Sequence, residues 1–340
     1  MDKQIITNRT EEFKKILKEN HIDAYIIPSS DYHMSEYVGA YFNEREYMCG
    51  FAGSNGTLLI SQNECILWTD GRYFIQAASD IKDTPYVLYK QGFKEYPSLI
   101  EYLKQHDELH TIGFDGRTLS SNTILNLKRL VKRDINLVYN QDLVGILFER
   151  DGRPSLSKNK IMILDEKYTG ESSISKIEKI KSWMNSHSSN VYLITSLDDI
   201  AWILNLRGSD ITYNPVFLSY LLFDNNKITL YIDLDKVTND IKEYLDNIGV
   251  NVKSYFDIYK DILLLDENSH VILDQNKVNY TLYASIKSKN ITSMMDYSTE
   301  LKACKNEFIE KYGKVITEYE MFINTTTLDE IADYILVNKI

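Results

Sequence analysis

The sequence is poor in cysteine, has no excess of positive charge and contains no long apolar run, and each shortage excludes a class of protein. No stretch of its 340 residues approaches the roughly 18 consecutive apolar side chains of a membrane span. The three cysteines, Cys49, Cys65 and Cys304, are odd in number and far apart, so they show neither a disulfide framework nor metal-knuckle spacing. Thirty-eight basic against 49 acidic side chains leave a formal charge of −11, which disfavours the phosphate neutralisation that nucleic-acid binding relies on. The opening MDKQIITNRTEEFKKILKEN lacks the apolar core of a signal peptide. FAGSNG at 51–56 is glycine-rich, but lacks both the lysine of a phosphate loop and the GxGxxG spacing of a dinucleotide site. The six histidines stand mostly isolated. HDELH at 106–110 has zinc-like i, i+4 spacing without the glutamate that follows the first histidine in zincins, and reads as a solvated helix end. A soluble protein of a reducing cytoplasm, with no nucleic-acid or membrane partner, is the expectation.

What is present is a repeated order of elements. The length exceeds one ordinary core, so two domains are expected. An amphipathic helix at 11–20 carries Phe13, Ile16 and Leu17, and AYIIP at 24–28 reads as a buried strand. SSDYH suits a helix N-cap, FAGSNG is a turn, and TLLIS and CILWTD are strands around QNE, followed by a helix from RYFIQAAS. The same order returns about 160 residues later. A helix at 174–187 precedes the strand VYLITS, the capped helix LDDIAWILN, the turn RGSD, and the strands VFLSYLLF and KITLYIDL around DNN. Alternating strands and helices with adjacent hairpins imply an α/β fold with mixed sheets. The polar RDGRPSLSKNK at 150–160 reads as the linker. After Asn290 the spacing turns helical, with Leu301, Cys304 and Phe308 on one face, and a second helix is capped at one of Thr325 to Thr327. These signals divide the chain into 1–155, 156–295 and 296–340.

Four landmarks in order carry a resemblance: YIIPSSDYHMSEY at 25–37, WTDGRYF at 68–74, DDIAWILNLRGSDITYNPVFLSY at 198–220 and LKACKNE at 301–307. Together they resemble the front of the three-domain cytosolic aminopeptidase P, or Xaa-Pro aminopeptidase, whose N-terminal domains are of the creatinase/prolidase type. The resemblance implies two tandem related domains, each a mixed sheet flanked by helices, and a short C-terminal helical tail that begins the catalytic domain. That domain, of the pita-bread type, holds two divalent metal ions, with manganese expected, on two Asp, one His and two Glu, and the metals activate a water. No HGxGHxxG-like segment occurs in these 340 residues, so no metal ligand and no catalytic residue is carried over, and no cofactor is expected in this chain.

The reading that follows is the non-catalytic portion of an Xaa-Pro aminopeptidase, inactive alone, that contributes dimerisation and access for proline-containing peptides. One alternative is a free-standing dimerisation module that pairs with an intact peptidase. Another is a fragment of a creatinase-like amidinohydrolase. For individual residues, the resemblance implies that Arg72 contacts the peptide substrate. On residue chemistry alone, Arg72 reads as an ion-pair partner of Asp70 or Glu44. Arg207, Asp210 and Asn214 in LRGSDITYNP form either a loop facing the catalytic cleft or a hydrogen-bonded brace of the second sheet.

Overall fold

The computed structural model describes residues 2–225 and 227–303. Each of its two six-stranded sheets is built around a strand that is apolar on both faces. In the first, β1 (Ala24–Pro28) is buried along four of its five residues. Tyr25 and Ile27 face one apolar layer with Phe13, Leu17 and Leu147. Ala24 and Ile26 face the other, with Trp68, Tyr102 and Phe114. Covering on both faces is why the strand reads as an unbroken apolar run.

β2 (Thr57–Ser61) and β3 (Cys65–Thr69) form the hairpin expected around QNE. β4 (Val87–Lys90), β5 (Thr111–Phe114) and β6 (Asn136–Val138) complete a sheet of order β4-β3-β2-β1-β5-β6. β1 pairs antiparallel with β2 and parallel with β5, β3 runs parallel to β4, and β5 runs parallel to β6.

The second sheet repeats this wiring strand for strand. A short ribbon of β7 (Met162–Ile163) and β9 (Leu206–Arg207) lies outside it. Within it, β8 (Val191–Ile194) is the counterpart of β1, and β10 (Ser219–Asp224) and β11 (Lys227–Ile232) form the hairpin. β12 (Val250–Ser254), β13 (Val271–Leu273) and β14 (Ile291–Ser293) complete the order β12-β11-β10-β8-β13-β14. Every pairing has the same sense as its equivalent in the first sheet. The α/β class with two related mixed sheets is therefore as the repeated element order implied. Residue contacts divide the chain into one unit of Met1–Leu156 with Asn279–Tyr283, and a second of Ser157–Val278 with Ala284–Ile340.

Several local expectations change. The first helix runs from Lys3 to Glu19, well before residue 11, because Ile6 and Thr10 extend the buried stripe of Phe13 and Leu17, and Asp2 caps it by accepting from Gln4 N. SSDYH does not start a helix. The Asp31 carboxylate accepts from the N–H groups of His33 and Ser35, and Met34 is left-handed at φ 58°, so the segment folds as a turn. Its counterpart does open a helix, Leu197–Ile203. The helix Leu99–Gln105 ends at His106, so His106 and His110 share no helical face. Helix Tyr297–Ala303 packs on the second unit: Ser298 Oγ donates to Asp199 at 2.7 Å and Lys302 meets Asp198 at 2.7 Å. Cys304, Phe308 and the helix expected after Thr325 lie outside the described residues.

Candidate functional site

In the first sheet the strand directions deliver β1, β3, β4, β5 and β6 to one edge by their carboxyl ends. Ligands of open α/β sheets bind outside such an edge. Arg72 stands there, two residues past Asp70, which follows β3. The Asp70 carboxylate accepts from Arg72 N at 3.0 Å, from Arg72 Nε at 3.0 Å and from Arg72 Nη2 at 2.8 Å. Asn55 Nδ2 donates to it at 2.6 Å from the FAGSNG turn. These donors, Arg72 first, hold the Asp70 carboxyl well below the usual carboxylate range. Ser54 Oγ lies 2.8 Å from Tyr73 Oη, closing the same two loops a second time.

Both readings of Arg72 thus have a physical basis. It pairs with Asp70, and Glu44 lies elsewhere, on Arg153. Its side chain nevertheless remains 61% exposed, and Nη1 has no partner among the described residues. The duplicated fold supplies a control. After β11, Asp233 accepts from Asp235 N at 3.0 Å, as Asp70 does from Arg72 N. There the position of Arg72 is taken by an acid, Asp235, and the next residue, Lys236, turns inward to a buried pair with Asp210, with side chains 1% and 0% exposed. The first copy of the loop presents an arginine at the surface; the second has none at that position and turns its following lysine into the core.

That pair puts Asp210 on the brace side of the two readings of its loop. Asp210 does not face outward. Its Oδ2 accepts from Leu218 N at 2.7 Å as well as from Lys236, so the carboxylate braces the loop from inside. Arg207 Nη1 donates to the carbonyls of Ala201 at 3.0 Å and Leu206 at 2.9 Å. Asn214 N bonds Ile211 O at 3.1 Å, and its side chain is half-buried. The exposed residues of this loop are Ser209, Thr212 and Tyr213, the last at φ 62° and 69% exposed.

A signal passed over in the sequence is Asp-Gly-Arg, present at 70–72, 115–117 and 151–153. The second copy follows β5 at the same edge and repeats the first: Asp115 accepts from Arg117 N at 2.9 Å, Nε at 3.0 Å and Nη2 at 2.8 Å. The third copy faces inward. The Arg153 guanidinium, 2% exposed, meets Glu44 at 2.6 Å, Asp142 at 2.8 Å and Tyr41 O at 2.8 Å. Burial, then the Asp142 charge, pushes the Glu44 carboxyl well up against the pull of Arg153. So 150–153 is not free linker; it is bolted to the first unit.

The described residues contain no group of three or more His, Cys, Asp or Glu placed to hold a metal ion. No helix among them is long and apolar enough to cross a membrane.

Two family models, each described as a creatinase/prolidase N-terminal domain, match residues 9–144 and 152–308. The chain belongs to the creatinase/prolidase N-terminal-domain family. Similar proteins include Xaa-Pro aminopeptidase 1 of Dictyostelium discoideum, 30% identical over 316 residues, which cover 90% of this chain and 50% of that protein. An Aspergillus flavus protein named Probable Xaa-Pro aminopeptidase P is 31% identical over 352 residues, covering 96% of this chain and 53% of its own length. The crystal structure of X-prolyl aminopeptidase from Caenorhabditis elegans, described as a cytosolic enzyme with a di-nuclear active site, matches with a TM-score of 0.84 at 27% identity. It covers 90% of this chain and 52% of that one. The creatinase/prolidase N-terminal pair described here thus spans about half the length of these relatives.

Proposed function

We propose that these two domains are the non-catalytic front of a cytoplasmic Xaa-Pro aminopeptidase, pairing subunits and shaping the approach of proline-containing peptides, with Arg72 touching the substrate. The observation that carries this reading is the loop pair after β3 and β11. The same Asp-capped turn carries an exposed arginine, Arg72, in the first domain and an aspartate, Asp235, at that position in the second, where the next residue, Lys236, is buried. A guanidinium fixed on one side by Asp70 and open on the other is preorganised to receive a carboxylate or a peptide carbonyl. The residues described here offer no metal-ligand set, so the metal ions of the family's chemistry would be held by a catalytic domain, and no chemical step is assigned to this chain.

The test is hydrolysis of Arg-Pro-Pro with added manganese. The 340-residue chain alone should show none. Turnover that survives repeated purification, and is lost with the chain, overturns the assignment of a non-catalytic role.

A further inference from the structure

The carboxyl end of β4 lies beside that of β3, with Lys90 in register with Thr69. Neighbouring strands lie about 4.8 Å apart, so Lys90 stands one strand over from the loop that carries Arg72. Lys90 has no carboxylate within ion-pair distance among the described residues, and its Nζ lies 5.6 Å from the centroid of the Phe74 ring. Immediately after it the chain turns at Gly92, whose φ of +88° few side-chain-bearing residues adopt. This turn brings the Phe93 ring edge-on to Phe74, with centroids 5.7 Å apart and planes at 70°. Phe93 is 52% exposed, and Ile75 on the same short helix as Phe74 is 90% exposed. An ammonium with no carboxylate partner among the described residues and a partly open aromatic pair therefore continue the surface on which Arg72 stands.

We propose that Lys90 with Phe74 and Phe93 forms a subsite for the C-terminal residue of a short peptide. Lys90 receives the free α-carboxylate, and the ring pair receives an apolar side chain. The proposal rests on the reading of Arg72 as a substrate contact and extends it by one residue class. Charge complementarity favours this occupant: Lys90 meets no carboxylate among the described residues and its contact with the Phe74 ring leaves its charge uncancelled, while the half-open rings offer apolar surface to bury.

The experiment labels the isoleucine δ1-methyl groups of the 340-residue chain and follows the Ile75 signal during titration with Arg-Pro-Pro-Phe. The C-terminal amide of that peptide and Arg-Pro-Glu-amide are titrated in parallel. The free acid should shift the Ile75 methyl saturably and bind about two- to fivefold tighter than its amide, as an exposed charge pair allows. Lys90→Met should bring acid and amide together. Phe93→Ala should weaken both by about three- to fivefold. The subsite is overturned if the peptides leave Ile75 unmoved, if acid and amide bind wild type equally, or if their difference survives in Lys90→Met. Binding of Arg-Pro-Glu-amide as tight as that of the free acid overturns the α-carboxylate as the recognised group. Arg72→Ala separates the two proposals. If it weakens the peptides while Lys90→Met changes nothing, the subsite falls and the substrate contact stands. If only Lys90→Met acts, the subsite stands and the reading of Arg72 falls.

Discussion

Replacing Lys176 by methionine should change the stability of the second domain by an amount that depends on pH. Lys176 lies in the helix Ser173–Ser186 and is 0% exposed. Its Nζ donates to Trp202 O at 2.8 Å and to Asn205 Oδ1 at 2.6 Å, and sits 4.1 Å from the centroid of the Trp202 ring. A neutral amine has two hydrogens, so both of these contacts survive loss of the proton. Burial pushes Lys176 down to about 7; Arg207 and Lys179 act in the same direction, and Glu171 and Glu166 oppose them. The unfolded side chain keeps its proton to about pH 10.4. Between pH 7 and 10 the unfolded chain therefore binds more protons than the folded one, and stability rises with pH. The penalty of desolvating the amine is fully present below pH 7 and is relieved as pH rises. At about 1.4 kcal/mol for each pH unit, the interval from pH 7 to pH 9.5 amounts to about 3 kcal/mol, and the tyrosines, which begin to ionise in the unfolded chain over that interval, do so alike in wild type and variant. Methionine removes the titration but leaves two oxygens without their donor, at about 1–3 kcal/mol each. The wild type should thus gain about 3 kcal/mol on the Lys176→Met variant between pH 7 and pH 9.5. Urea unfolding followed by tryptophan fluorescence reads this, since Trp183 and Trp202 both belong to the second unit. A wild-type advantage that stays constant across the interval would refute the reasoning: Lys176 would then be an ammonium throughout, held by the two oxygens and the indole face.

In an enzyme carrying these domains and a catalytic domain, Arg72→Ala should lower kcat/KM roughly 10- to 150-fold with metal content and Tm near wild type; a lowered Tm with unchanged kinetics would make Arg72 a structural partner of Asp70. Lys236→Met should destabilise the second domain by about 3–5 kcal/mol, because Asp210 would be left buried without its cation. Denaturation midpoints of the single variant and of Lys236→Met with Asp210→Leu test this; the pair explanation fails unless the second change restores much of the loss. Limited proteolysis should cut first at 154–157, between Arg153, bolted to the first unit, and Lys158, paired with Asp235 at 3.1 Å in the second. Early cuts at 150–153 would mean that the Arg153 clasp opens readily.

The sequence by itself determined the fold class, the duplication and the family, because each is written in local order. AYIIP and VYLITS are short, β-branched apolar runs bounded by polar or proline residues and so read as buried strands, and the hairpins around QNE and DNN sit at matching places in both halves. Period and turn chemistry act over a few residues and need no partner from far away. Tertiary structure alone decided which charges are spent and which are left over. Nothing local distinguishes the arginine of Asp70-Gly71-Arg72 from that of Asp151-Gly152-Arg153, yet one is exposed beside an aspartate and the other is closed over by Glu44, Asp142 and Tyr41. Asp210 read either as facing a cleft or as bracing the sheet, and only its partner Lys236, 26 positions away, makes it a brace. SSDYH has the composition of a helix cap, but the Asp31 carboxylate satisfies a turn instead. The role of a charged side chain depends on its partner and on its distance from water, and both are set by segments that meet only when the sheets have formed.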